Sequence, residues 1–123
     1  MKNQAYRMAM LFDFYGDLLT ERQREFYDLY YNEDLSLAEI AENYGISRQG
    51  VRDVIVRAEA AMTEIEDKTH IIRRFQQNRP AIAAINAATD RLLQAVNRRS
   101  YNDAMLDEIA RTIRENTAKL EQE

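Results

Sequence analysis

No cysteine occurs in the chain, which fits a cytosolic, cytoplasmic protein, and a chain of 123 residues needs neither a disulfide nor a metal to hold its core. One proline and three glycines leave few places for strands to turn, while Val, Ile and Thr recur at helical spacing. The expected fold class is therefore all-α. No apolar run approaches the length of a membrane span, and no leader-like segment opens the sequence, so neither membrane insertion nor a signal peptide is expected. Catalytic chemistry is equally short of material. The single histidine, His70, has only Glu66 one turn before it, too few ligands for a metal, and is expected to be a solvated helix residue. The glycines at 16, 45 and 50 form no phosphate loop. Acidic pairs such as Glu64 with Glu66, or Asp107 with Glu108, are what solvated helix faces carry. A non-enzyme with no cofactor and no metal is the expectation.

Charge is unevenly spread. The formal net charge is -4, which argues against a generic polyanion binder. Residues 1–34 hold four basic and seven acidic residues, and residues 35–66 hold three and six. Residues 67–123 reverse the sign with ten basic against eight acidic, yet no solid basic block appears.

What the chain does have is a concentrated set of helix signals between Leu37 and Val56. Ser36 and Glu39 make a capping box, with Leu35 and Ile40 as its hydrophobic staple. Ala41 supplies the small side chain that two crossing helices need. Gly45 ends the first helix where a left-handed residue is cheapest as glycine, and Ser47 caps the next. Ile40, Tyr44, Ile46, Val51 and Val54 close the pair into a wedge. These requirements together define a helix-turn-helix, with helices over about 37–43 and from 48 onward.

Around it, residues 2–16 are expected to form a helix that is apolar on two sides. Met8, Leu11, Phe12 and Tyr15 make one stripe, and Tyr6, Met10 and Phe14 a second that suits either intramolecular packing or a dimer interface. Thr20 with Gln23 opens a helix running to about Tyr31, with Phe26, Leu29 and Tyr30 inward and Tyr27 and Tyr31 on its outer side. After the wedge, Val51, Ile55, Ala58, Met62, Ile65, Thr69 and Ile72 continue a heptad seam, so the second wedge helix is lengthened and is expected to end before Pro80. A helix over about 81–97 carries Ile82, Ile85, Thr89, Leu92 and Val96. A last one over about 103–120 carries Leu106, Ile109, Ile113, Asn116 and Leu120. The expected division is a helix-turn-helix domain with an N-terminal helix over 1–68, and a C-terminal helical extension over 69–123 that packs or dimerises. Three such seams close either as an intramolecular bundle or as a coiled-coil dimer. The expected assembly is a homodimer.

With Val51, Val54 and Ile55 inward, the outward face of the second wedge helix is Arg48, Gln49, Arg52, Asp53 and Val56, flanked by Arg57. Arg48 and Arg52 suit guanine edges or phosphates, Gln49 suits adenine, and Arg57 suits the backbone. The expected nucleic-acid-binding residues are thus Arg48, Gln49, Arg52 and Arg57. Asp53 on the same face opposes phosphate, and solvated residues of an interaction scaffold are the competing account.

Residues 19–58, LTERQREFYDLYYNEDLSLAEIAENYGISRQGVRDVIVRA, resemble region 4 of the bacterial sigma-70 factors. The wider stretch from about Arg7 to Lys68, with RMAMLFDFYGDLLTERQ and LYYNEDLSLAEIAENYGISRQGVRD, is similar to the small YlxM family. That resemblance implies a bacterial protein linked to the signal recognition particle through a neighbouring gene for the particle's GTPase. The implied partners are the particle's RNA or that GTPase, with a regulatory role. A DNA-binding transcriptional regulator, or a protein-interaction module, are the alternatives. Two features depart from the family pattern: Gly50, where the family usually carries a β-carbon, and the C-terminal third, alanine-rich from Ala81 to Ala88, which resembles no known segment.

Overall fold

The structure, a computed structural model, describes residues 5–122. Among them there are six α-helices and no strand: α1 (Ala5–Tyr15), α2 (Glu21–Tyr31), α3 (Leu37–Tyr44), α4 (Arg48–Thr69), α5 (Ile71–Arg98) and α6 (Asp103–Glu121), with a short 3-10 turn over Gly16–Leu18. Residues 2–4 of the expected first helix lie outside the described residues. No helix among the described residues is long and apolar enough to cross a membrane. The chain divides into two compact units, Met1–Ile72 and Arg73–Glu123.

The first unit is built on α4. Val51, Ile55, Ala58 and Met62, spaced one turn apart, are fully buried, and α1, α2 and α3 all pack against that strip. Helix starts are set by side chains. Thr20 and Ser36 each complete a capping box, with Gln23 and Glu39 reaching back to the cap amides. Ser47 accepts from the Gly50 N–H at 3.0 Å to open α4. The staple pair also packs inward, with Ile40 buried and Leu35 partly buried against the core.

Burial on α2 differs from the sequence expectation. Tyr27 is fully buried and Tyr31 is half-buried, so neither lies on an outer side. The reason is that α1 covers that flank: the Tyr27 hydroxyl donates to the Met8 carbonyl at 2.9 Å, and its ring stacks on Phe12 at 5.2 Å. The Tyr31 hydroxyl donates to Glu59 on α4 at 2.5 Å. A helix between two neighbours needs apolar surface on both sides, and tyrosine supplies it with a polar tip that finds a partner.

α4 ends at Thr69, before Pro80 as expected but short of Ile72 in the expected seam; the difference lies in α5, which begins at once at Ile71 rather than near residue 81. His70 adopts the left-handed conformation with φ 55°, and its N–H donates to the Glu66 carbonyl at 2.8 Å, so it caps α4 rather than lying within a helix. The Glu66 carboxylate then accepts from the Ile72 N–H at 3.0 Å and from the Tyr15 hydroxyl at 2.5 Å. One side chain thereby starts α5 and ties α1 to α4. Pro80 sits inside α5 instead. Its missing N–H releases the Gln76 carbonyl, and both residues are exposed, so that carbonyl is left open to solvent.

The second unit is the α5–α6 hairpin, whose turn is set by Arg99 at φ 52° and by the Asn102 side chain accepting from the Met105 N–H at 2.8 Å. Its shared seam is Ala81, Ala88 and Ala95 with Ile109 and Asn116, all buried. The expected α5 seam of Ile82, Ile85, Thr89, Leu92 and Val96 is displaced from it. Ile82 and Val96 are exposed, Thr89 is exposed, and Ile85 and Leu92 are half-buried. Close approach of two helices favours the smallest side chains at the contact, so alanines take the seam.

Two outcomes follow. Ala41, 5% exposed at the α3–α4 crossing, leaves no room for growth; Ala41→Leu should lose about 1 to 3 kcal/mol by overpacking, against about 1 kcal/mol for Ser36→Ala, as read by urea denaturation. Burial pushes the Tyr27 hydroxyl up, and burial with the Glu59 carboxylate raises Tyr31. A tyrosine whose folded value lies above its unfolded value, about 10, stabilises fully below that pH and loses the contribution as pH rises past it. Stability should therefore hold between about pH 7 and 9 and fall above about 10, and less steeply in Tyr27→Phe, which itself costs about 1 kcal/mol at neutral pH. Equal alkaline slopes in the two proteins would contradict this.

Candidate nucleic-acid interface

The turn between α3 and α4 is short because Gly45 reverses the chain. It sits at φ 67°, and the Ile46 N–H closes back on the Ala41 carbonyl at 3.1 Å. Ser47 then caps α4, so the first α4 side chains project from a fixed start. Ile46 and Tyr44 pack partly against the core, and Tyr44 reaches across to hydrogen-bond Glu25 on α2, which raises its hydroxyl together with lesser desolvation.

Arg48, Gln49, Arg52, Asp53, Val56 and Arg57 are all exposed on the side of α4 opposite the buried strip. Arg48, Gln49 and Arg52 come together with Ser47 and Leu37 around one open recess. Arg57 is farther along the same helix and does not line it. Leu37, the first residue of α3, is not among the expected site residues; its position directly after the Ser36 cap is the signal that places it beside the α4 start.

The electrostatics favour an anion. Ion pairs link Arg24 to Asp17, Lys68 to Glu64, Arg91 to Glu108 and Arg111 to Asp107. Among the described residues, Arg48, Arg52 and Arg57 have neither an ion-pair nor a hydrogen-bond partner. Between Arg48 and Arg57 there are three basic residues and one acidic, within a unit that is acidic as a whole. The amides of the first α4 turn add partial positive charge at the same end. Gln49 is less free than the sequence implies, because its amide donates to Asp53 at 2.9 Å. With one N–H so engaged, Gln49 keeps its second N–H and its carbonyl, and bidentate pairing with adenine requires the amide to turn from Asp53 toward the base edge.

The expected dimer residues lie elsewhere in this unit, on α1. Tyr6 is 70% exposed, Phe14 is 36% exposed, and Met10 is partly buried against the chain's own core. No group of three or more His, Asp or Glu residues among those described is placed to hold a metal.

A capped tight turn joining a short supporting helix to a second helix whose first turns expose arginines defines a helix-turn-helix protein. A family model described as "Putative helix-turn-helix protein, YlxM / p13 like" matches residues 2–100. The chain belongs to this UPF0122 family. It is 43% identical over 99 residues to a UPF0122 protein of Shouchella clausii, covering 79% of this chain and 91% of that one. It is 47% identical over 85 residues to one of Bacillus thuringiensis, covering 69% and 77%, and 45% identical over 80 residues to one of Desulforamulus reducens, covering 65% and 68%. The family match ends before α6 begins.

The turn itself offers a clean test. A Cβ at Gly45 would meet nothing within 4 Å, so Gly45→Ala probes backbone conformation alone. The expected loss is about 1 to 2 kcal/mol with an unchanged helical dichroism spectrum. A variant as stable as the parent would mean that the turn does not need its left-handed residue.

Proposed function

We propose that this chain is a non-enzymatic, cytoplasmic nucleic-acid-binding protein that acts as a homodimer in the signal recognition particle pathway. In this reading α4 enters a groove of duplex DNA or of the particle's RNA. Arg48 and Arg52 engage base edges or phosphates, Arg57 the backbone, and Gln49 a base once it leaves Asp53. The observation that carries it is the unpaired state of Arg48, Arg52 and Arg57 on one exposed helix face of an acidic unit. Membership of the YlxM-like family supports the pathway, because the family resemblance links it to the particle's RNA or GTPase. Two-fold pairing is supported by the general use of helix-turn-helix proteins as dimers on paired half-sites.

Asp53 favours a second reading. Its carboxylate shares the face with the arginines, bonded to Gln49, and a net charge of -4 weakens attraction to any polyanion. Both suit an adaptor that meets the particle's GTPase instead of nucleic acid. Competitive binding at fixed salt, with the particle's RNA, random duplex DNA and the GTPase as ligands, separates the readings.

Arg48→Ala with Arg52→Ala should weaken nucleic-acid binding while leaving helical dichroism unchanged, since both side chains are exposed. An arginine that meets a phosphate should lower the salt slope by about 1 when removed, and one that meets a base should cost about 1 to 3 kcal/mol. Unaltered affinity and slope would remove α4 from any nucleic-acid site.

A further inference from the structure

The α5–α6 hairpin buries too little to account for its own residues. Its seam is three alanines, Ile109 and Asn116, whereas the large apolar side chains of α5 stand outside it. Ile82 is 42% exposed, Leu93 56% and Val96 52%. With Ile85 and Leu92 half-buried beside them, they form one stripe about 100° round α5 from the alanines. On α6, Leu106, Ile113 and Leu120 are likewise only half-buried, displaced from Ile109 and Asn116 in the same rotational sense. In an antiparallel hairpin these displacements bring both stripes to one face. The opposite flank carries charge, with Arg91 paired to Glu108 at 3.4 Å.

We infer that this face is the homodimer contact, and that a second copy of the chain covers it to complete a four-helix bundle. The inference rests on the homodimer proposed above and assigns its surface. Two observations select a second copy over another partner, the stripe Ile82, Ile85, Thr89, Leu92, Leu93 and Val96 being apolar apart from Thr89. Its spacing about Thr89 is self-complementary for all but Leu92, which falls opposite the uncharged Asn86. A two-fold axis there sets Ile82 against Val96 and Ile85 against Leu93 of the partner, as an isologous contact requires. The face offers on the order of 500 Å² of apolar surface per chain, so pairing buries on the order of 1,000 Å², where specific interfaces begin. Thr89, whose hydroxyl now donates to the Ile85 carbonyl at 2.9 Å, lies at the axis and fixes register, because a polar residue at a single seam position penalises shifted pairings.

Sedimentation equilibrium on the full chain tests the assignment. The parent should sediment as a dimer of the 14.4 kDa chain at micromolar concentration. Leu93→Glu with Val96→Glu should raise the dissociation constant about 100-fold or more without changing dichroism, because both residues are exposed and each glutamate would be buried unpaired only at the contact. Since the chain lacks cysteine, Thr89→Cys introduces a single thiol that should crosslink two copies rapidly on oxidation, and Gln94→Cys on the charged flank should not. A parent that stays monomeric at the highest attainable concentration overturns the homodimer reading and this surface with it. A dimer that survives both glutamates overturns the surface alone. Equal crosslinking at 89 and 94 likewise overturns the surface.

Discussion

One buried strip holds the first unit together. Val51, Ile55, Ala58 and Met62 follow one another along α4 with no exposure, and α1, α2 and α3 all pack on this helix. Each large side chain of this kind contributes about 1.5 to 3 kcal/mol on burial. The strip occupies only one side of α4. The other side is left to water, and that is where Arg48, Gln49, Arg52 and Arg57 stand. The helix that makes the core therefore also presents the candidate binding face, and the two duties use different residues. Changes to the arginines should reach function without reaching the fold.

Tyrosine–carboxylate contacts orient what the strip assembles. Tyr15 to Glu66, Tyr31 to Glu59 and Tyr44 to Glu25 each join two helices through a charge-assisted hydrogen bond. Apolar burial does not specify direction, whereas these bonds fix which turn of one helix meets which turn of its neighbour. Glu66 goes further, because it also accepts from the Ile72 N–H in the first turn of α5. A single carboxylate so marks where one helix stops and the next begins, and the neighbouring His70 accommodates the reversal in a left-handed conformation that glycine would adopt at less cost.

Local signals are the legible part of the sequence. The boxes Thr20–Gln23 and Ser36–Glu39, the left-handed Gly45 and the Ser47 cap are contacts within three or four residues, so their partners lie in the same stretch of chain. The helix-turn-helix and its exposed face follow from them. Long-range partners are not legible in that way. Tyr27 and Tyr31 fall outward on a helical wheel, and only the presence of α1 and α4 beside them makes those positions interior. The break at His70 depends on Glu66 folding back, whereas Pro80 is the conspicuous residue and is tolerated inside α5. In the hairpin, the large apolar residues mark a stripe, but the close contact belongs to Ala81, Ala88 and Ala95 one residue away. The Gln49–Asp53 bond is equally hidden, although its four-residue spacing is the one at which helix side chains meet.

In the proposed function α4 divides its surface between core and nucleic acid. Residue-resolved amide chemical shifts during titration with a short duplex DNA, and separately with the signal recognition particle RNA, test it most directly. Shifts should cluster on Leu37 and on Ser47 to Arg57, with slow amide exchange at Val51 and Ile55 unchanged. Saturable binding whose shifts avoid that stretch and gather on another face would contradict it.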